Sequence, residues 1–142
     1  LQADRGNGFL VTTASYHDFD LRLEFWVDPD ANSGVFIRCS DPQKIGADSC
    51  YEVNIFDKRP DPAYRTGAIV NVAKPLSVID AGGRWNTYEI TAKGPRMTVT
   101  LNGTLINDYT DTEGRPLSGF IGLQNYPYDG TVRHRNLRVR EL

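Results

Sequence analysis

The sequence predicts an all-β fold, an antiparallel β-sandwich of jelly-roll type, in a single domain that spans residues 1–142. Short segments with an apolar residue at every second position recur along the chain, as in strands with one face in a core. Gly, Pro, Asn and Asp cluster between these segments, where turns need them. No segment keeps a helical period between start and stop signals. Two half-buried sheets must cover each other's apolar faces, which predicts a sandwich.

In the first half of the chain, residues 20–27 alternate most clearly. Leu21 and Leu23 share one face, and Arg22 points to the other. Residues 58–65, by contrast, hold two prolines and four charges, which exclude a central strand and predict a surface loop at a rim of the sandwich. The strands predicted in this half are residues 9–13, 20–27, 32–38 and 51–57.

The second half contains the strongest hairpin signal. Asn102-Gly103 joins two β-prone runs, and both residues accept the positive φ values of a type I′ turn. Residues 66–73 are β-rich, with Ala68 and Val70 in one phase. Near the end of the chain, alternation predicts that Leu137 packs in the core. The strands predicted in this half are residues 66–73, 85–91, 97–101, 104–106, 119–124 and 132–142.

Polar side chains gather on one face of the strand pair 32–38 and 51–57. By alternation, Phe36 and Arg38 point away from the core on the first strand, and Glu52 and Asn54 do so on the second. Gly34 leaves room beside them. If the two strands pair, charged and amide groups on this face can bond hydroxyl groups, and the ring can stack on a sugar. The face therefore predicts a carbohydrate-binding surface.

The only two cysteines, Cys39 and Cys50, bracket the loop between these strands. A disulfide between them would stabilise the fold by roughly 2–3 kcal/mol through loop closure. Alternation places Cys39 in the core phase and Cys50 in the outward phase, so the two meet only if a bulge or an early strand end changes the phase. The sequence leaves open a disulfide or two separate reduced thiols, one of them buried.

Composition and charge exclude several classes of function. The chain has a net charge of −2, with 39% hydrophobic and 24% charged residues, so it has no overall positive field to attract nucleic acid or an anionic membrane. No apolar run approaches the ~20 residues that a membrane span needs. The start of the chain lacks a signal-peptide pattern, as expected if a leader has already been removed.

Motifs along nearly the whole chain, in the right order, resemble the 3-keto-disaccharide hydrolase domain family. The resemblance implies a concanavalin A-like lectin/glucanase fold and a bacterial, periplasmic or secreted protein that acts on glycosides oxidised at the sugar 3-hydroxyl. The chain begins close to the family's first recognisable strand, so we expect an upstream piece of the sheet to be missing from it. The motifs are Thr12 with residues 16–25, residues 32–38, residues 51–55, Trp85-Asn86, Leu101-Asn102-Gly103, residues 121–124 and Arg135-Asn136.

The resemblance also implies a chemistry. A 3-keto group acidifies the proton on carbon 2, so a base can expel the group on carbon 1, and water then adds to the enone. We expect Glu52 to be the base, Arg38 and Lys74 to face the ketone or enolate, and Tyr126 to protonate the leaving group. Asn54 stands where the family usually has glutamine, and Asn125 and Tyr126 stand where it usually has histidine. The residues expected to bind substrate are Asn54, Gln124, Glu24, Trp26 and Phe36.

Most of these residues also have a plainer interpretation. Glu52 could form a cross-strand ion pair with Arg38. Asn54 and Gln124 could be solvated groups on the sheet face, and Trp26 and Phe36 could be packing residues. Glu24 joins the site only if its strand neighbours that of Glu52, and otherwise it pairs with a surface cation. Trp85 is expected in the core or over a sheet edge.

The sequence predicts no metal site. We expect His17 and His134 to lie at the surface, since no third ligand stands at a familiar spacing. No cofactor motif is evident, and a divalent metal stays open. The Glu-x-Asp-x-x-Glu run of the glucanases with this fold is absent, which argues against ordinary glycoside hydrolysis. The alternatives to an enzyme are a non-catalytic carbohydrate-binding or adhesion module of a larger exported protein and a protein-interaction domain.

Overall fold

The computed structural model describes residues 2–3, 7–126 and 130–142. These residues form two antiparallel sheets, which confirms the predicted all-β architecture. The only helical element among them is a short 3-10 turn at Pro62–Tyr64. The strands are β1 (Gln2–Ala3), β2 (Gly8–Val11), β3 (Phe19–Val27), β4 (Ser33–Cys39), β5 (Tyr51–Ile55), β6 (Trp85–Lys93), β7 (Arg96–Leu101), β8 (Thr104–Thr110), β9 (Phe120–Asn125) and β10 (Val132–Glu141).

The two sheets pack face to face around one core. The six-stranded sheet has the order β1-β10-β3-β6-β7-β8, and the four-stranded sheet has the order β2-β9-β4-β5. Strand β3 shows how the sequence builds the core, because its alternate residues Leu21, Leu23 and Phe25 are almost fully buried. They pack with Val35 and Val53 of the four-stranded sheet. Burial of these apolar faces is the main force that holds the sheets together.

Local turn chemistry explains one success and one failure of the sequence predictions. Asn102 and Gly103 have φ values of 50° and 83°, and they connect β7 to β8 as predicted. The strand predicted over residues 66–73 is wrong. Gly67 and Asn71 adopt positive φ values of 88° and 64°, which bend the segment. Only Ile69 forms isolated bridges, to Val53 and Ala73.

Two irregularities change which side chains face outward. On β4, Arg38 has a φ of 55°, and the pairing with β9 shifts between Phe36 and Cys39. On β10, Asn136 has a φ of 54°, and the pairing with β3 shifts between Arg135 and Arg138. Such bulges offset the alternation by one residue. Leu137 is consequently 40% exposed, contrary to its predicted place in the core.

The bulge on β4 also settles the state of the cysteines. Cys39 and Cys50 form a disulfide, with their Cα atoms 4.4 Å apart. Because of the bulge, Cys39 lies with Phe36 in a small cluster separate from the main core. Ile45 of the intervening loop packs on this cluster. Of the two states that the sequence left open, the structure has the disulfide.

The long connection from β5 to β6 is tied down by one carboxylate. Asp57 accepts hydrogen bonds from the Thr66 hydroxyl at 2.6 Å and from the backbone N–H groups of Ala81 and Gly82, each at 2.8 Å. This connection includes the predicted rim loop at residues 58–65.

No helix in the described part of the chain is long and apolar enough to cross a membrane.

Candidate functional site

A cleft of about 400 Å³ lies on the outer face of the four-stranded sheet. Its floor comes from β5 and β9, and its walls come from the turn before β4 and the connection after β5. Three of the side chains predicted to form a site meet here, namely Glu52, Asn54 and Gln124. The remaining lining residues are Asn32, Phe56, Arg59, Tyr64, Val70 and Asn71.

Glu52 is the titratable group of the cleft whose ionisation is changed most. Burial raises the pKa of its carboxyl group to about 7, and the positive charge of Arg59 offsets part of that rise. The carboxyl group lies over Gly34, where an added Cβ would come within 3.1 Å of Oε1 and 3.2 Å of Cγ. A side chain at position 34 would therefore push Glu52 from its place. A carboxyl group with this pKa can take up and release a proton near neutral pH.

Arg59 supplies the positive charge of the cleft. Its guanidinium carbon lies 5.7 Å from the centre of the Phe56 ring and 5.6 Å from that of the Tyr64 ring, so cation–π attraction to both aromatic residues orients it. Its backbone carbonyl accepts a 2.9 Å hydrogen bond from Nε of Arg65. The prolines and charges of this loop predicted a rim position, but they did not distinguish Arg59 from its neighbours. The available signal was a charged loop directly after the strand of Glu52.

The two predicted amides serve different purposes. Asn54 is only 4% exposed, and its Nδ2 donates a 2.5 Å hydrogen bond to the Tyr64 carbonyl, so it anchors the rim loop to β5. The interpretation of Asn54 as a solvated surface group is therefore wrong. Gln124 is held at its backbone carbonyl by the Ser33 hydroxyl at 2.8 Å. Its buried side-chain Oε1 has no hydrogen-bond partner among the described residues, so it can accept a bond from a ligand in the cleft.

The prediction that Arg38 faces outward beside Glu52 is wrong. Arg38 is 1% exposed, since the bulge turns its side chain away from the cleft. Its guanidinium donates to the backbone carbonyls of Gly94 at 2.6 Å and His17 at 3.1 Å, and it lies 3.5 Å from the Asp18 carboxylate. The ion pair with Arg38, the plainer interpretation of Glu52, is therefore absent. Arg38 holds the end of β4 and is remote from the cleft.

Phe36 is a packing residue, not an open platform for a sugar. It is 2% exposed and makes an edge-to-face contact with Phe9, with ring centres 5.1 Å apart. The disulfide and Ile45 cover it as well. This outcome follows the packing interpretation that the sequence left open.

Glu24 and Trp26 lie on the opposite side of the molecule from Glu52. Both are on β3, which pairs with β6 and β10 in the six-stranded sheet and does not neighbour β5. Glu24 forms an ion pair with Arg135 at 3.1 Å. Trp26 lies under the guanidinium of Arg133 and is paired in register with Trp85. Trp85 is 37% exposed, so the core, one of the two places expected for it, is wrong.

The two other predicted catalytic residues do not line the cleft. Lys74 is exposed and lines a neighbouring depression, which shares Tyr64 and Asn71 with the cleft. Tyr126 directly follows the last residue of β9 and is half-buried. Their catalytic roles stay predictions.

The two histidines differ from each other. His17 is exposed, as predicted, and its Nδ1 lies 2.9 Å from the Asp18 carboxylate. His134 is 5% exposed, so its predicted surface position is wrong, and burial lowers its pKa to about 4. Within the described residues, no group of three or more His, Cys, Asp or Glu side chains is arranged to hold a metal ion.

Comparison with known proteins decides the family. The model of the 3-keto-alpha-glucoside-1,2-lyase-like domain matches residues 1–140. The chain belongs to this family. The match confirms the resemblance found in the sequence motifs and relates the chain to carbohydrate-processing proteins. No curated protein has significant sequence similarity to the chain.

Solved structures place this 3-keto-alpha-glucoside-1,2-lyase-like domain among jelly-roll sandwiches. A candidate glycosyl hydrolase from Parabacteroides distasonis is similar with a TM-score of 0.86 and 25% identity, over 96% of this chain and 84% of that protein. The carbohydrate binding module CBM66 from Bacillus subtilis has a TM-score of 0.71 and 21% identity, over 96% of this chain and 83% of that protein. A β-glucanase from Bacillus licheniformis has a TM-score of 0.61 and 15% identity, over 93% of this chain and 70% of that protein. The last two likenesses concern the fold alone.

Proposed function

We propose that this domain cleaves 3-keto-glycosides by elimination followed by hydration, with Glu52 as the base. The observation that carries the proposal is a carboxyl group whose pKa is raised to about 7, held in a cleft beside the cation Arg59. A base of this strength is half ionised near neutral pH and can exchange protons in both steps. Membership in the 3-keto-alpha-glucoside-1,2-lyase-like family supplies the substrate class.

The proposed reaction balances as a hydrolysis. Glu52 takes the proton from carbon 2 of the 3-keto sugar, and the electrons of that bond form an enolate with the ketone. The enolate then re-forms the ketone as a carbon–carbon double bond forms and the bond from carbon 1 to the leaving oxygen breaks. The leaving oxygen takes a proton from the general acid. Water adds to carbon 1 of the enone and returns one proton to that acid, and carbon 2 regains a proton from Glu52.

The surrounding side chains have separate roles in this proposal. Arg59 stabilises the negative charge that develops on the enolate oxygen, the role first expected of Arg38. Gln124 accepts a hydrogen bond from a sugar hydroxyl through its unpartnered Oε1, and Asn32 and Asn71 add polar contacts at the walls. Tyr126 stays our candidate for the acid that protonates the leaving group.

The test compares a 3-keto-glucoside with its unoxidised parent and follows release of the aglycone. We expect release from the keto compound alone, with a loss of about a hundredfold or more in Glu52→Gln. Arg59→Gln should lower the rate of aglycone release at least roughly tenfold, since it removes charge stabilisation of the enolate. The control Glu89→Gln makes the same chemical change at an exposed site on the other sheet and should retain full activity. Unchanged release in Glu52→Gln would overturn its role as the base.

A second candidate is a non-catalytic carbohydrate-binding module. The likeness in fold to CBM66 favours it, since that structure is described as a carbohydrate binding module. The same experiment separates the two functions. Binding of either sugar without release, and without dependence on Glu52, would support the binding module and reject the enzyme.

We also propose an extracytoplasmic location, periplasmic or secreted, in a bacterium. The Cys39–Cys50 disulfide supports it, because such bonds persist in oxidising compartments. Thiol labelling of the protein immediately after cell lysis tests the location. Protection of both cysteines is expected, and free thiols in the native protein would contradict an oxidising compartment.

A further inference from the structure

A row of arginines crosses the outer face of the six-stranded sheet, on the opposite side of the sandwich from Glu52. All belong to β10, and all are exposed. The bulge at Asn136 makes the row continuous. Arg135 and Arg138 are three residues apart in sequence. In a regular strand without the bulge they would point to opposite faces of the sheet. The members of the row are Arg133, Arg135, Arg138 and Arg140.

Most of these arginines are oriented by neighbours. The Arg133 guanidinium lies 4.9 Å from the centre of the Trp26 ring, and that of Arg135 lies 3.7 Å from the centre of the Trp85 ring. Arg140 is paired with the Asp20 carboxylate. Arg133 also donates from Nε to the Gln2 side chain at 3.0 Å, and Arg135 donates to the Glu24 carboxylate at 3.1 Å. Stacking on an indole ring restricts a guanidinium while its remaining N–H groups stay available at the edge.

The centre of the row carries excess positive charge. Arg138 lies directly opposite Arg22 of β3 in the register of the two strands. Like charges at directly opposed positions destabilise a sheet. Arg22 is partly balanced by the Glu89 carboxylate at 3.7 Å, but Arg138 forms no ion pair or hydrogen bond with any described residue. Both arginines line a groove of about 640 Å³ that also includes Thr91, the Arg140 guanidinium and the carboxylates of Asp20 and Glu89. The three guanidinium groups outnumber the two carboxylates by one, so the groove keeps one net positive charge.

We propose that this groove is a second binding site, for the carboxylate groups of an acidic polysaccharide built from uronic acids. Two guanidinium groups on adjacent strands can share one carboxylate, and an anion between them relieves the repulsion of Arg22 and Arg138. The arginines to either side of this pair would meet the repeated carboxylates of one glycan chain. The site anchors the domain to such a polymer independently of the reaction at Glu52.

The experiment measures binding of polygalacturonate by isothermal titration, with its fully methyl-esterified form as the uncharged counterpart. We expect the acidic polymer to bind and the esterified one not to bind. Arg138→Gln and Arg22→Gln should each weaken binding roughly tenfold, since each removes a charge-assisted contact. Lys93→Gln is the matched control, because it removes one positive charge from the same sheet face away from the groove.

The result that supports the proposal is a loss in both arginine variants, with little change in Lys93→Gln and none in Glu52→Gln. Equal weakening in Lys93→Gln and Arg138→Gln would show unspecific charge attraction and overturn it. Absence of binding to polygalacturonate, or equal binding to the esterified polymer, would also overturn it. Binding to anionic phospholipid vesicles in preference to polygalacturonate would reject the polysaccharide as the ligand.

Discussion

At the scale of single residues, the cleft depends on what surrounds Glu52. Its carboxyl group is half-buried in the cleft and has Arg59 as its nearby cation, and burial dominates its ionisation. Alternation within β5 predicted that Glu52 and Asn54 share one face, and the same rule placed Gln124 outward on β9. Arg59 could not be placed this way, because its position depends on contacts with two aromatic rings from an irregular loop.

The raised pKa of Glu52 makes folding stability depend on pH. Its pKa is about 7 in the folded state, against an ordinary value of 4.5, so the folded state holds the proton more tightly. Stability falls as pH rises from about 4.5 to 7, by roughly 2–3 kcal/mol. Glu52→Gln should remove this loss. Urea unfolding at pH 4.5 and pH 8 should show that the mutation raises the free energy of unfolding much more at pH 8.

Glu24→Gln is a control for which the effect on the free energy of unfolding should have the opposite sign. Hydrogen bonds from Asn136 and Arg135 lower the pKa of Glu24. Its ionised form therefore stabilises the fold above its unfolded pKa, and that stabilisation is lost as pH falls through the folded pKa. Glu24→Gln should destabilise the protein more at pH 8 than in acid. The same pH dependence in both variants would contradict the assigned environment of Glu52.

Gly34 should be required for the position of Glu52. In Gly34→Ala the new Cβ would lie 3.1 Å from Oε1 of Glu52 and 3.3 Å from Cε2 of Phe36, so both side chains must move by a few tenths of an ångström. We expect a loss of about 1 kcal/mol in stability and roughly tenfold in cleavage of the 3-keto-glucoside. Aglycone release and urea unfolding measure the two effects.

Gly122→Ala is the matched control for this prediction. Gly122 lies on β9 in register with Phe36, and an added Cβ there would meet Ile45 at 3.5 Å, an ordinary contact distance. It should retain activity close to that of the unmodified protein. If both alanine variants were equally active, Gly34 would not position Glu52.

At the scale of elements, the two bulges limited what alternation could predict. The pattern of β4 is regular as far as Ile37, and it then fails at Arg38 because that residue adopts a positive φ. Nothing in the alternation of apolar residues marks such a change, since Arg has no special preference for that conformation. Alternation therefore assigned Arg38 to the face of Glu52. It also left the disulfide open, because the two cysteines can meet only if a bulge or an early strand end changes the phase.

The disulfide should contribute measurably to stability. Cys39 and Cys50 are 11 residues apart in sequence, and the bond restricts this loop in the unfolded chain. Replacing both by alanine should lower the free energy of unfolding by about 2–3 kcal/mol. Urea unfolding with and without reductant measures it. Reductant should destabilise only the unmodified protein, and an equal effect on the double variant would show that the bond is not responsible.

At the scale of the whole molecule, the order of strands determined which predicted residues could meet. Glu24 and Trp26 are correctly outward by alternation, but their strand belongs to the other sheet. The sheet that a strand joins depends on long-range contacts that no local pattern encodes. The sandwich could be predicted because alternation and turns act locally. The composition of the cleft could be predicted only for residues on strands of the same sheet.

One hydrogen bond connects the six-stranded sheet to the floor of the cleft. The hydroxyl of Tyr88, on β6, donates to the Asn54 carbonyl at 2.7 Å through the core. Tyr88→Phe should cost about 1 kcal/mol in the free energy of unfolding, since the carbonyl keeps its 3.0 Å bond from the Gly67 N–H. Urea unfolding measures the cost, with Tyr109→Phe as a comparison at the half-buried site beside Asp111. An unchanged free energy of unfolding in Tyr88→Phe would show that this hydrogen bond does not stabilise the packing of the two sheets.

The loop between the cysteines has a consequence for how the protein can change. The disulfide closes residues 40–49 at the base, and Ile45 rests on the sheet, while Pro42, Gln43 and Lys44 are exposed. Substitutions at the exposed positions are therefore insulated from the strand that carries Glu52. The surface that these positions form can therefore vary, by mutation or in a randomised library, without loss of the fold.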